Sequence, residues 1–248
     1  MTAVVRSELL KIRTTRGWWA YLIALVGLVG IGTAAEVGSR SVAERRGLDF
    51  QLALVDLIGI TSLLAIILGI TIVTTEFRHG TITPTFLATP HRERVLGAKL
   101  VFALLGAAAL VVLALVVIAA VAVPWLLILG DSITLDADVA KQAGRALLGA
   151  LLWAGLGAAI GAAVHGQVAA LIGTLIWILI VETLVSALLG VLDLDEVSGY
   201  LPNAAISVVL GDASEELLSF WPSVLVAVGW IVAVGAFGVV RTRRRDVT

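Results

Sequence analysis

Apolar positions along this chain fall into six long runs separated by short polar clusters. The runs cover roughly 17–35, 52–75, 98–123, 143–164, 168–191 and 222–240. A helix needs about 20 mostly apolar residues to cross the hydrocarbon core of a bilayer. The pattern therefore predicts an all-α integral membrane protein, six spanning helices in one domain over residues 1–248. The first run ends in "GTAAE", which resembles a leader cleavage site, but it exceeds the usual apolar core of about 7–15 residues; we read it as a retained helix. Gly157 and Gly161 form a GxxxG pair in the fourth run. Such a pair serves close packing inside a bundle or a dimer face, and we read it as the former.

Composition agrees with the pattern. Hydrophobic residues make up 60% of the chain, charged residues 14%, and the mean hydropathy is +1.07. A soluble domain carries about 25% charged residues. The chain has no Cys, which removes disulfides, thiolate metal sites and thiol nucleophiles. The net charge of −1 says little, because the charges are sorted by position.

Lys and Arg set orientation. Twelve flank the runs on one side, in the N-terminal stretch, around residues 78–99 and at the C-terminus, and five on the other. Acidic residues lean the opposite way, in "DLDE" at 193–196 and "DASEE" at 212–216. The expected topology is a multi-pass protein of a bacterial plasma membrane with both termini cytoplasmic. Trp18, Trp19, Tyr21 and Trp221 stand where spans enter the headgroup region. Before them, Val5, Leu9 and Ile12 share one helical face, with Arg6, Lys11 and Arg13 elsewhere. That reads as an amphipathic helix on the inner leaflet; the alternative is a solvated basic tail.

One connection is too long for a turn. Residues 74–100, "TTEFRHGTITPTFLATPHRERVLGAKL", interrupt two apolar runs where about 2–8 residues would join helices. Gly80 permits a sharp turn. Thr83 and Pro84 read as N-cap and first helical position, and Thr89 before Pro90 ends the helix. A two-turn helix over roughly 84–89 would display Ile82, Phe86 and Leu87. On the residues alone it is a docking plug for another protein or an interfacial turn resting on lipid.

The pattern E-F-R-x-G-T-I, T-x-x-x-x-P-x-R, L-x-A-K resembles the segment between helices two and three of type 2 ABC exporter permeases. The matching residues are Glu76, Phe77, Arg78, Gly80, Thr81, Ile82, Thr85, Pro90, Arg92, Leu96, Ala98 and Lys99. The likeness extends to the basic start, the six spans, "YLPNAA" at 200–205 and the Arg-rich exit; Pro84 departs from the usual uninterrupted helix. The resemblance implies a coupling helix, with Phe86 and Leu87 as anchors and Glu76, Arg78 and Arg92 as its charged frame, seated in a cytoplasmic ATPase subunit. It also implies a second permease copy, identical or different, and a re-entrant outer segment before the sixth span, with Tyr200, Leu201, Pro202 and Asn203 at the gate. A surface helix on the outer leaflet is the other reading of that segment. The only lysines, Lys11, Lys99 and Lys141, lie outside any G-x-x-x-x-G-K-[ST] context. Hence the expectation of no enzyme activity, cofactor or metal on this chain, with ATP and Mg held by the partner subunit. Membrane lipids are expected partners; nucleic acid is not.

Glu182 is the one acid deep in a predicted run. Intramembrane acids are costly and face the bundle interior or a cavity. It reads as a path-lining residue or a packed structural acid, with Ser186 one turn on as a hydrogen-bond partner. His165, in "AVHGQV", reads as a solvated turn residue and Asp56 as interfacial. Rival functions are a proton-coupled secondary transporter using Glu182 and a non-transporting scaffold or immunity protein.

Overall fold

The computed structural model describes residues 17–78, 92–130, 136–211 and 218–243. The basic N-terminal helix, the two-turn helix over 84–89, the acidic cluster at 212–216 and Arg244 and Arg245 of the exit lie outside the described residues. Among those described, every regular element is helical. In order they are α1 (Gly17–Ser39), the short α2 (Val42–Arg45) and α3 (Leu48–Asp56), which continues through a 3-10 turn (Leu57–Gly59) into α4 (Ile60–Arg78). Then come α5 (Arg92–Ile128), α6 (Ala137–Val164) and α7 (Gln167–Ile176). A π-helical turn (Trp177–Val181) joins α7 to α8 (Glu182–Val191), followed by α9 (Asp195–Ser198), α10 (Pro202–Leu210) and α11 (Phe220–Arg243).

Six helical units are long and apolar enough to cross a membrane: α1, α3–α4, α5, α6, α7–α8 and α11, here spans one to six. All six expected runs are there. Most extend beyond the expected runs, span one ending at Ser39 and span four starting at Ala137. Span two begins at Leu48, with the 3-10 turn absorbed in it, and span three runs through Pro124 to Ile128 instead of stopping at 123. Proline stops a helix in water because it lacks an N–H and crowds the preceding turn; an apolar surrounding offers the freed carbonyl no competing partner outside the helix.

Hydrocarbon also explains what the hydroxyls do. A buried polar group must be satisfied inside the protein. Thr33 donates to the Val29 carbonyl at 2.8 Å and Thr74 to Ile70 at 2.8 Å. Thr71 donates to Ile67 at 2.9 Å and receives Tyr21 Oη at 2.8 Å, tying span one to span two. Thr174 and Ser62 are the exceptions among the described residues: both are buried and their hydroxyl oxygens have no partner.

Span four is the hub. Its most apolar stretch is 72% buried, against 17% for spans five and six. Small side chains let its neighbours approach to backbone contact. A Cβ on Gly157 would strike the Ile66 carbonyl oxygen of span two, and one on Gly69 would strike the Ala154 carbonyl oxygen of span four. Gly161 lies against Ile70 and Val73. The GxxxG pair thus packs spans two and four within one chain.

Between spans one and two, Ser41 and Glu44 form a reciprocal cap on α2: Ser41 N donates to Glu44 Oε2 at 2.7 Å and Glu44 N to Ser41 Oγ at 3.5 Å. The Ser41 hydroxyl and amide hold the Glu44 carboxyl below the usual carboxylate range.

Candidate functional site

Two clusters stand at opposite ends of the bundle. The first gathers the ends of spans two to six around His165. Glu76, in the last turn of span two, meets Lys99 of span three with Oε1 at 3.1 Å from Nζ. Both are buried, Lys99 at 2% exposure and Glu76 at 5%. Lys99 also donates to the Ile72 carbonyl at 3.0 Å. Two ions so far from water hold only with close geometry and further hydrogen bonds, and the pair welds spans two and three where residues 79–91 leave and rejoin them. Glu76 therefore sits at the base of the connection, turned inward, whereas the sequence placed it in a charged frame.

Phe77 follows, its ring edge-on to His165 with centroids 4.5 Å apart and planes at 75°. His165 ends α6 in the left-handed region at φ 61°. That turn folds the imidazole back between spans, where Nε2 lies 3.0 Å from Thr242 Oγ1 of span six. It is 6% exposed, so the expectation of a solvated turn residue is wrong. A turn sequence shows that the chain reverses; it does not show which spans close over the reversal. Arg241 donates to the Ala163 carbonyl, and Arg78, exposed, donates to Gln167 Oε1 at 3.3 Å. Gly80, Thr81, Ile82, Phe86, Leu87 and Pro90 lie outside the described residues, and Arg92 is described only as the start of α5.

The second cluster is built on α10. Pro202 opens it at N1, where the missing N–H costs nothing, and Gly211 closes it at φ 90°. Side chains from two other elements, α8 and α6, meet its ends. At the N-terminus, Glu182 Oε1 accepts the Ala204 N–H at 2.8 Å. Its other oxygen accepts the Trp177 indole N–H at 3.1 Å. At the C-terminus, Arg145 donates to the Val209 and Val208 carbonyls at 3.0 and 3.1 Å. Gln142 donates to Leu210 O at 3.0 Å and to Asp56 Oδ1 at 2.8 Å. An acid at the amide end and a cation at the carbonyl end both match the helix dipole. Asp56, expected to be merely interfacial, helps to orient Gln142.

The π turn makes the acid end possible. In a regular α-helix, residues five apart lie roughly 140° from each other around the axis. The wider i→i+5 repeat brings Trp177 and Glu182 onto one face. Glu182 spends its oxygens on Trp177 and Ala204, not on Ser186.

Tyr200, Leu201, Pro202 and Asn203 are brought together with Glu182 as one group. Tyr200 O accepts the Trp230 indole N–H at 2.9 Å. Trp230 and Glu182 lie roughly 14–15 Å along their helices from Phe220 and Val191, at about 1.5 Å per residue. Leu210, by contrast, meets Gln142 in the second turn of α6. Below Pro202 and Asn203, spans four, five and six enclose an apolar cavity of about 280 Å³. Its lining includes Trp153, Thr174, Trp177 and Trp230; Glu182 is not part of it. Sequence reasoning missed Arg145, Trp177 and Trp230. An Arg just inside the start of a run and Trp residues away from the ends of theirs were the available signals.

Glu182→Gln keeps an acceptor for Ala204 but sets an amide against the Trp177 N–H, or the reverse. Leaving one buried polar group unmatched costs about 1–3 kcal/mol. We expect unfolding in detergent at lower temperature, and a smaller cost of Trp177→Phe in the Glu182→Gln background than in the parent. Unchanged stability with additive effects would contradict this.

A family model described as "Protein of unknown function (DUF2705)" matches residues 35–248. No curated protein matches the chain.

Proposed function

The chain belongs to the DUF2705 family, and we propose, on the resemblance of its 76–99 segment and the geometry around it, that it is the membrane-spanning permease subunit of an ATP-binding-cassette exporter. In this reading a separate cytoplasmic subunit hydrolyses ATP and a second permease copy completes the substrate path.

The observation that carries it is the Glu76 to Lys99 segment. The E-F-R-x-G-T-I pattern and the closing L-x-A-K belong, by resemblance, to a coupling segment. The buried Glu76–Lys99 pair is the join such a segment needs. A load on residues 79–91 reaches spans two and three together, because their bases are tied across about 3 Å. Phe77 carries the same load to His165, and His165 to span six. Spans two and four, glycine to backbone, move as a unit. Lysine usage supports a partner for ATP, since none of the three lysines sits in a phosphate loop.

The positive-inside asymmetry puts the 79–91 connection and both termini in the cytoplasm, and α10 at the outer side. A segment whose Tyr200–Ala204 stretch meets mid-span residues, and whose Leu210 meets the start of span four, fits a re-entrant outer gate. Such backbone persists at depth because it is buried in protein. Glu182 then serves as a latch for that gate.

The test is loss of coupling without loss of insertion. Phe86→Ala removes an apolar anchor of the sort worth about 2 kcal/mol or more at an interface, roughly thirtyfold in affinity. Gly80→Val closes the turn that presents it. Both variants should reach the membrane, yet fail to co-purify with the ATPase subunit or fail to stimulate its hydrolysis. Full association and full export by both would sink the reading.

A further inference from the structure

The cavity between spans four, five and six is built for an occupant. Span four forms its floor, with Trp153 and Leu156; spans five and six form the walls; Pro202 and Asn203 close one end. Along span five it runs from Ala169 to Ile178, roughly 14 Å at 1.5 Å per residue. The length of this slot suits an extended chain, and the volume of about 280 Å³ suits a short one. An engineered cavity of about 150 Å³ admits benzene, so this one holds roughly twice as many carbons.

Its chemistry is narrow. Trp177 and Trp230 have one donor each, and both are spent elsewhere, on Glu182 and on Tyr200 O. They offer the slot only ring surface. No charged side chain is among the lining residues. Thr174 is different: 94% of it is buried, it lines the slot, and its Oγ1 bonds to nothing. Other span threonines turn the hydroxyl back to a carbonyl of their own helix. The other polar side chains on the wall belong to Asn203 and Trp153. At the mouth, Ala169, Gly173 and Trp177 are exposed on an apolar surface, so the slot opens sideways, toward lipid.

We propose that this slot binds one uncharged single-chain molecule drawn laterally from the bilayer. About ten to twelve of its non-hydrogen atoms lie inside, and a hydroxyl or carbonyl on it bonds to Thr174. The inference rests on the six-span architecture and not on the exporter reading.

Tryptophan fluorescence of the purified full chain in nanodiscs tests it, with 10-bromodecan-1-ol as a contact quencher. Quenching should saturate and be reversed by decan-1-ol. Gly173→Leu should weaken the probe at least tenfold by filling the mouth; nothing lies within 4 Å of a Cβ at Gly173, so the variant should fold. Thr174→Val should weaken the alcohol about fivefold, the worth of one hydrogen bond, and leave 1-bromodecane unaffected. Quenching that stays linear in probe and equal in Gly173→Leu is mere partition and overturns the proposal. So does a Thr174→Val variant that loses no preference for the alcohol over the bromoalkane.

Discussion

Lys99→Met is expected to destabilise the protein by about 3–5 kcal/mol, the cost of stranding a buried charge. Lys99 is 2% exposed and its ammonium contacts the Glu76 carboxylate and the Ile72 carbonyl. Methionine fills the space of the alkyl stem but takes the Lys99 ammonium away from Glu76 in a nearly waterless setting. For a chain of this size the melting temperature in detergent should fall on the order of 10 °C. Glu76→Gln in the same chain should recover much of the loss, because it removes the stranded charge. A loss below about 1 kcal/mol in the single variant, or simple additivity in the double, would show that the pair is not what joins spans two and three. The same substitution should blunt stimulation of a partner ATPase before the protein unfolds, since the lever loosens at its base.

Gly157→Ala is expected to be among the most damaging single methyl additions in the bundle, together with Gly69→Ala on the facing span. The new Cβ would lie inside contact distance of the Ile66 carbonyl oxygen, with the Ile66 Cα at 3.1 Å. A side chain can rotate away from such a clash; a helix backbone cannot. Spans two and four must separate along their shared length, and overpacking of this kind costs about 1–3 kcal/mol or more. Gly229→Ala is the control, because no atom lies within 4 Å of its added Cβ. Size-exclusion profiles and unfolding curves of the two variants should differ clearly. Equal behaviour would mean that the two spans do not meet through this glycine.

The spans were legible because each is a local property: a run of apolar residues needs no knowledge of its neighbours. So was the internal use of Gly157 and Gly161, which follows from small size alone. Partners far apart in sequence were not legible. His165 reads as a solvated turn until Phe77 and Thr242, far off in the chain, are seen to close on it. Arg145 counts as a connection charge in any tally of Lys and Arg, yet it lies within α6 and bonds to Val208 and Val209. Glu182 stands out correctly as costly, but the assumption of a regular helix points to Ser186 as its partner.

That assumption fails at Trp177–Val181, with a consequence for anyone drawing span five as a helical wheel. The wider turn absorbs one residue without advancing the helix around its axis. A wheel numbered from Gln167 at about 100° per residue therefore misplaces every position after Val181 by roughly 100°. It assigns the wrong stripe of α8 to lipid and the wrong stripe to protein. A relative one residue shorter between Trp177 and Glu182 would set the same acid beneath the same amide with a plain α-helix. In this span an insertion or deletion of one residue is a smaller change than many substitutions.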